Sequence, residues 1–461
     1  MMLAPFPLRP RMSEYLFVTD QVAPLSQTDA AKSVRGLARG LLELKHRVTI
    51  LTVATAAEAA SLPGLAKRLR TAKVETAQGS MELALYEGHF SASDPQVLVL
   101  ESDSTSPGER ALQLGGAAVS LANDGLIKPE VVIGWGESSV VAMARLTAAA
   151  KLFVLPTGQT VGRFSPQEAK TVGLAPTDLP SLASFGVSAA QAVIAPSRLA
   201  AAMLEAAPEL EGRASDEPII ALQFGANEPP YDPMSDPALP TPFDAAKPQG
   251  KIDARKTLLR RLSVSVDPRW PVISTGPMLQ GEGGKALVEA LPLIAKRDCF
   301  VILPSLGDKK LVERAAVFAI EHPTKISMVN DPTEDDYRLM LAAADAWWLL
   351  DETDLTGRAA GRALRYGALP LVPARSAAHD FLVQWDSHST TGNALFYSDV
   401  NADQLSSTVA RVAALRADQS MWNTMVSRLL ATAPLWRQTA AMVDQLRSAA
   451  AEEADLTIVA S

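Results

Sequence analysis

Apolar residues recur along the chain in short blocks, set between longer stretches in which they return every three or four positions. A block such as Tyr15-Leu16-Phe17-Val18 has the length and composition of a covered strand, and the stretch 31–45 has the spacing of an amphipathic helix. The same alternation predicts further strands at 47–53, 83–86, 97–100, 131–134, 152–155 and 192–195, with helices over 108–124 and 138–150 and after Pro196-Ser197. A second series places strands at 270–274, 300–303, 325–329, 346–350 and from 368, with helices over 284–296, 310–321, 334–344, 357–366, 404–415 and 419–449. Strands alternating with helices predict an α/β fold of parallel sheets joined by right-handed crossovers. Between the series, residues 224–250 are crowded with prolines and poor in apolar residues, which reads as a connection. Two α/β domains with a cleft between them are therefore expected at 14–245 and 246–430, followed by a helix at 431–450. The ends at 1–13 and 451–461 are expected to attach loosely or fray.

The stretch 344–371 concentrates the candidate chemistry. Ligands of open α/β sheets bind beyond the carboxyl ends of strands, so Asp351, Glu352, Thr353 and Asp354 stand where a site belongs. Thr356 is placed to cap the next helix and Gly367 to end it. Gly357, at the helix start, lets a ligand approach backbone N–H groups closely. Arg358, Arg362 and Arg365 fall at i, i+4 and i+7 and so share one helix face. Arg358, in the first turn, is placed to meet a phosphate, although a solvated basic face is the simpler expectation. Trp347 and Trp348, adjacent on a strand, are expected in the core rather than stacked on a base or sugar.

Length, charge and cysteine content narrow the reading. A chain of 461 residues is too long for one core. Its net charge of −8 comes with no dense basic cluster, which argues against a nucleic-acid partner. Cys299 is the single cysteine and lies in an apolar run, so it reads as a buried thiol with no disulfide or thiolate metal site. The five histidines lack metal-ligand spacing, and no cofactor or metal is expected. His379 and Asp380 read as polar loop residues, and residues 281–284, which lack a G-K-[ST] ending, as a tight turn. Prolines break the apolar content of the first twelve residues and no run is long enough to span a membrane, so a cytoplasmic location is expected.

Several segments together carry a specific likeness. Residues 15–48 follow a strand ending near V-A-P and leading to a K-T-G-G-L helix start; Pro230-Tyr231-Asp232-Pro233 with Ser235-Asp236-Pro237 looks like W-D-P-x-x-D-P. Residues 344–370 match the region around E-P-C-G-L-T and A-L-R-Y-G-T-L-P, Thr391-Gly392-Asn393 matches T-G-N, and the final helix with Trp436 matches a segment that crosses back onto the first domain. Over roughly residues 14 to 448 the chain thus resembles bacterial glycogen synthases and plant starch synthases, glycosyltransferases of the GT-B fold with two Rossmann-like domains.

The resemblance implies transfer of glucose from ADP- or UDP-glucose to an α-1,4-glucan with retention and without a metal, so protein cations must neutralise the diphosphate. Matched positions that would bind the donor are Gln27, Thr28, Gly136, Gly357, Arg358, Ser376 and Thr391, and Asp354 takes the place of a catalytic glutamate, one methylene shorter. Elsewhere the pattern breaks. The lysine of K-T-G-G-L falls on Gln27 and its glycines on Asp29 and Ala30; the histidine of D-W-H falls on Gly136; the arginine of S-R-L falls on Pro277, the lysine of Q-K-G on Glu282, and G-G-L on Ser376-Ala377-Ala378. One ion pair at about 4 Å is worth roughly 4 kcal/mol at an effective dielectric near 20, so losing three cations and gaining two acids weakens diphosphate recognition severely. The expectation is a pseudo-glycosyltransferase that binds another protein or a carbohydrate. The alternatives are an active transferase in which Arg358, Lys285, Arg375 or Lys32 takes over phosphate neutralisation, and a carbohydrate-binding protein.

Overall fold

A computed structural model of the chain describes residues 12–156, 162–175, 179–210, 219–350 and 354–460. It resolves into two compact α/β units, Met1–Leu222 with Trp436–Ser461, and Gln223–Leu435. Among the described residues no helix is long and apolar enough to cross a membrane.

The first unit is built on nine strands: β1 (Glu14–Val18), β2 (Arg47–Ala54), β3 (Leu65–Thr76), β4 (Gly79–Gly88), β5 (Gln96–Glu101), β6 (Val131–Trp135), β7 (Ala150–Val154), β8 (Ala192–Ala195) and β9 (Ile220–Ala221). Their order is β3-β4-β5-β2-β1-β6-β7-β8-β9, and only the β3–β4 and β4–β5 pairs are antiparallel. β3 carries no apolar run because only its last turns of pleat, Ala72, Val74 and Thr76, are buried, while Lys67 to Arg70 face solvent. The helix expected over 138–150 stops at Arg145, since Ala150 already begins β7.

The helix expected over 419–449 is two helices, Gln419–Thr432 and Trp436–Ala460. Pro434 separates them: it donates no N–H and holds Ala433 before it in an extended conformation. The second helix stays helical to Ala460, where fraying is expected, and it belongs to the first unit. Two glycines receive it. On the helix Asp29–Glu43, a Cβ added to Gly36 would stand 2.3 Å from Trp436 Nε1, and one on Gly40 2.6 Å from the Trp436 carbonyl oxygen. The Tyr15 hydroxyl donates to Asp444 at 2.6 Å, and His46 Nε2 lies 3.5 Å from the same carboxylate.

The second unit holds six parallel strands, β10 (Val272–Thr275), β11 (Phe300–Pro304), β12 (Ile326–Val329), β13 (Ala346–Trp348), β14 (Leu369–Pro373) and β15 (Leu395–Tyr397), ordered β12-β11-β10-β13-β14-β15. Numbered from its own start this is the 3-2-1-4-5-6 order of a doubly wound dinucleotide-type sheet. Trp347 and Trp348 are both fully buried in its core, and so is Cys299, whose thiol burial pushes up to about 12. The division between units lies at Leu222/Gln223 rather than at 245/246, because the proline-rich segment is ordered against the second unit: Tyr231 and Phe243 are core residues there. The helix Gln249–Arg261, too polar to stand out in the sequence, is fastened by Lys251. Its ammonium donates to the carbonyls of Ala342, Ala344 and Tyr366 at 3.0, 2.6 and 3.0 Å.

Candidate functional site

Among the parallel strands of each sheet the order reverses at one point, between β1 and β6 in the first unit and between β10 and β13 in the second. The loops beyond the carboxyl ends of those strands are where a doubly wound sheet binds ligands. In the second unit these are residues 276–280, and the segment from Leu349 to Gly357, in which Asp351, Glu352 and Thr353 lie outside the described residues. The first turn of the helix Gly281–Ile294, which follows the first loop, packs closely on the second: a Cβ on Gly283 would stand 2.2 Å from the Leu350 carbonyl oxygen.

Asp354 sits at this point and acts on its own helix. Its Oδ1 accepts from Thr356 N at 2.9 Å, Thr356 Oγ1 at 2.7 Å and Gly357 N at 3.1 Å, and Oδ2 accepts from Ala359 N at 3.4 Å. Thr356 Oγ1 in turn accepts from Arg358 N at 3.2 Å. At the start of the helix Arg358–Arg365 a carboxylate of the chain itself thus lies beside the first N–H groups, with Arg358 N taken by the Thr356 hydroxyl and Ala359 N 3.4 Å from Asp354. Gly357 takes φ +66°, a left-handed conformation, and a Cβ there would lie 3.1 Å from Ala378 Cα and 3.0 Å from Phe381, so its backbone packs closely against the turn after β14.

The arginine face of that helix is turned inward, against both readings of it as a phosphate contact and as a solvated surface. Arg358 and Arg362 are 2% and 6% exposed, and both donate to the buried carboxylate of Glu228, Arg362 at 2.7 Å through Nη2 and 3.2 Å through Nε. The Arg362 guanidinium also lies 3.8 Å from the Tyr231 ring centroid. Arg365 pairs with Asp232 at 2.7 Å. Asp236 completes the row, accepting from Arg338 at 3.0 Å and from the Tyr366 hydroxyl at 2.5 Å. Glu228, Asp232 and Asp236 recur every four residues; Glu228 takes both Arg358 and Arg362, Asp232 takes Arg365, and Asp236 takes Arg338 and Tyr366. The spacing was visible in the sequence, but nothing local paired the two rows.

The other second-unit positions scatter. Pro277 and Glu282 are exposed, and Glu282, 90% exposed at its side chain, is 3.6 Å from Lys285 in the first turn of the helix Gly281–Ile294. Ser376 caps the short turn Ala377–Asp380 through a bond from Ala378 N, next to Gly357. His379 is half-buried, not a surface residue: its Nε2 lies 2.9 Å from the Pro373 carbonyl and its ring packs 4.5 Å from Phe396. Thr391 is exposed in a turn with Asp386 and Ser389 and does not join the others. Arg375 is exposed in the loop after β14.

In the first unit Gln27, Thr28 and Asp29 are exposed and Ala30 half-buried at the start of the helix Asp29–Glu43. Thr28 caps that helix, accepting from Ala31 N at 3.2 Å and donating to Gln21 Oε1 at 2.8 Å; Gln27 Nε2 donates to the Pro24 carbonyl. Lys32 is buried at 9% exposure. Gly136, with φ +75°, faces open space where a side chain would reach into the switch point. The sequence reading overlooked Asp20 here: it accepts from Ser138 Oγ at 2.9 Å and from Arg110 at 3.0 Å, tying the loop after β1 to that after β6. A cavity of about 390 Å³ lies at the amino ends of β1, β2 and β5, lined by Tyr15, His46, His89 and Gln96 among others, and shares no residue with the candidate positions.

No family model matches the chain. It is 24% identical to the glycogen synthase of Syntrophotalea carbinolica over 235 residues, 51% of this chain and 49% of that one. It is 28% identical to the glycogen synthase of Anaeromyxobacter dehalogenans over 217 residues, 47% of this chain and 45% of that one. The match thus spans about half the length of these curated relatives. Among solved structures, the catalytic domain of starch synthase IV from Arabidopsis thaliana, bound to ADP and acarbose, superposes with a TM-score of 0.76 at 14% identity, covering 96% of this chain and all of that one (100%). HepE from Anabaena, in complex with UDP and glucose, gives 0.57 at 15% identity over 95% and 100% of the two chains. The fold is that of the GT-B glycosyltransferases, and the sequence is similar to glycogen synthases.

Proposed function

We propose that this chain is a glycogen/starch-synthase-like protein that has given up glucosyl transfer from nucleotide sugars and acts, in the cytoplasm, as a binding, scaffolding or regulatory protein for another protein or a carbohydrate. The observation that carries the reading is the self-neutralised switch point of the second unit. The Asp354 carboxylate lies at the helix start, accepting from Gly357 N and, at 3.4 Å, from Ala359 N, and the arginines of that helix are consumed by Glu228 and Asp232. A diphosphate brought there would meet a carboxylate in place of N–H donors and would find Glu282 rather than a cation on the neighbouring loop. Of the four cations able to substitute, Arg358 is committed, Lys32 is buried and Lys285 stands beside Glu282. Arg375 alone of these four is exposed without an ion pair among the described residues, and it is the residue on which an active transferase with a rearranged site would depend.

Isothermal titration with ADP-, UDP- and GDP-glucose tests the proposal. No binding is expected at micromolar concentrations. Micromolar affinity for any of the three, lost in Arg375→Ala, would overturn it in favour of the active enzyme. Retention on glycogen in a pull-down would identify the partner as carbohydrate.

A further inference from the structure

The helix Lys309–Glu321 is nearly unburied. Asp308 caps it, and it packs on the helix Gly281–Ile294 and on β12, the edge strand of the second sheet, yet Ala315 is its only fully buried residue. Lys310, Glu313, Arg314, Val317, Ile320 and Glu321, with the exposed Lys309 at the margin, form one continuous face. Val317 and Ile320 are 53% and 79% exposed, an apolar pair one turn apart where a solvated helix needs none. The charges on the face are unevenly placed. Glu313 is engaged by Lys309 at 3.8 Å, whereas Lys310 near the amino end and Glu321 at the carboxyl end have no ion-pair partner among the described residues.

We infer that this face is a self-association surface, occupied by the same helix of a second copy running antiparallel about a two-fold axis. Such an interface presents the same patch twice, so residue pairs must complement each other under reversal of direction. About an axis near Ala315 and Ala316, Lys310 of each copy meets Glu321 of the other, giving two equivalent ion pairs. Val317 and Ile320 of both copies fall between those pairs and lie along the stems of Arg314. The helix dipoles also oppose favourably in this arrangement. A parallel pairing would set Lys310 against Lys310 and Glu321 against Glu321, so the charge pattern selects the antiparallel one. One helix of this length, about 20 Å, buries less than the roughly 1,200 Å² of a standard stable interface, and the association is therefore weak, with a dissociation constant in the tens of micromolar or above.

Sedimentation velocity of the full chain from about 5 to about 500 µM, bracketing that range, is the test. The wild type is expected to pass from monomer toward dimer, and Val317→Glu/Ile320→Glu to remain monomeric throughout. Lys310→Glu should weaken association several-fold, and Lys310→Glu/Glu321→Lys should restore it, since the swap preserves the antiparallel pairs. Wild-type protein that stays monomeric, apolar variants that dimerise as well as wild type, or a swap that fails to rescue would each overturn the inference. All these side chains are exposed, so circular dichroism should show every variant folded.

Discussion

Glu228 is the single carboxylate on which two buried guanidiniums converge, and replacing it tests whether the inward-turned arginine face holds the second unit together. Glu228→Gln keeps volume and one acceptor but removes the charge facing Arg358 and Arg362. Each contact in isolation would be worth roughly 4 kcal/mol at about 4 Å and an effective dielectric near 20. Much of that is offset by the cost of desolvating Glu228 itself, which is 1% exposed. What the variant suffers is the cost of two buried cations left without their shared anion, and removing one member of a buried pair costs about 3–5 kcal/mol. The assay is urea denaturation followed by tryptophan fluorescence, which reports mainly on the second unit because Trp270, Trp347, Trp348, Trp385 and Trp422 lie there and only Trp135 and Trp436 in the first. The midpoint should fall with an unchanged slope. Replacing Glu228, Arg358 and Arg362 together by apolar residues of similar volume should cost much less than the single change, since paired burial gains little net energy. A loss below about 1 kcal/mol in Glu228→Gln, the range of an exposed pair, would refute the account of this cluster as buried and mutually dependent.

Further outcomes follow from other contacts. Lys251→Met strips the shared donor from three carbonyls at the ends of the helices Glu334–Ala343 and Arg358–Arg365; with about 1–3 kcal/mol per unsatisfied buried group, a fall of several kcal/mol in the same denaturation experiment is expected. Gly36→Val drives a side chain into the Trp436 indole and should cost about 1–3 kcal/mol or release the last helix, read as accelerated amide exchange over 436–449. Burial lowers the His46 pKa below its ordinary 6.5 against the opposing pull of Asp444, so the folded state disfavours the proton. The resulting stability is complete above pH 6.5 and declines as pH falls toward the folded value, and melting temperatures measured between about pH 5.5 and 7.5 should drop on the acid side in wild type but stay flatter in His46→Gln. Asp354→Ala removes the carboxylate that accepts from Thr356 N, Thr356 Oγ1 and Gly357 N in the turn before the helix and should cost about 1–2 kcal/mol, read in the same denaturation experiment.

The parts of the fold that could be read from the sequence are those whose residues are covered on both faces. β1, β6, β11 and β14 announce themselves as unbroken apolar runs because a parallel strand under two helix layers has no solvent side. β3 could not be read this way: an edge strand half open to water can carry Lys67, Arg68 and Arg70. The helix Arg358–Arg365 shows a different limit. Its period and its caps were legible, and so was its single basic face, but periodicity says only that three charges share a side. Which side that is depends on Glu228, Asp232 and Asp236, more than a hundred positions away and carried by a segment whose prolines suggested a loose connection. No local feature of either segment joins them, because one carboxylate serves two arginines and the rows do not pair in register. Asp354 is the instructive case at the site itself. Its position beyond a strand end was legible, and the missing methylene relative to a glutamate read as a weakened catalytic group. Its consequence is conformational: an aspartate side chain folds back onto the N–H groups two and three residues on, here those of Thr356 and Gly357 in the turn before the helix, where a longer glutamate reaches past them. With Gly357 held in its left-handed turn against Ala378, the carboxylate closes on Thr356, Gly357 and Ala359. On the function proposed above, the same shortening withdraws the reaching acid and sets a carboxylate at the helix start, so restoring a glutamate at 354 alone is expected to leave Glu282 and the committed arginines opposing a diphosphate, and titration of Asp354→Glu with ADP-glucose should show no gain in binding.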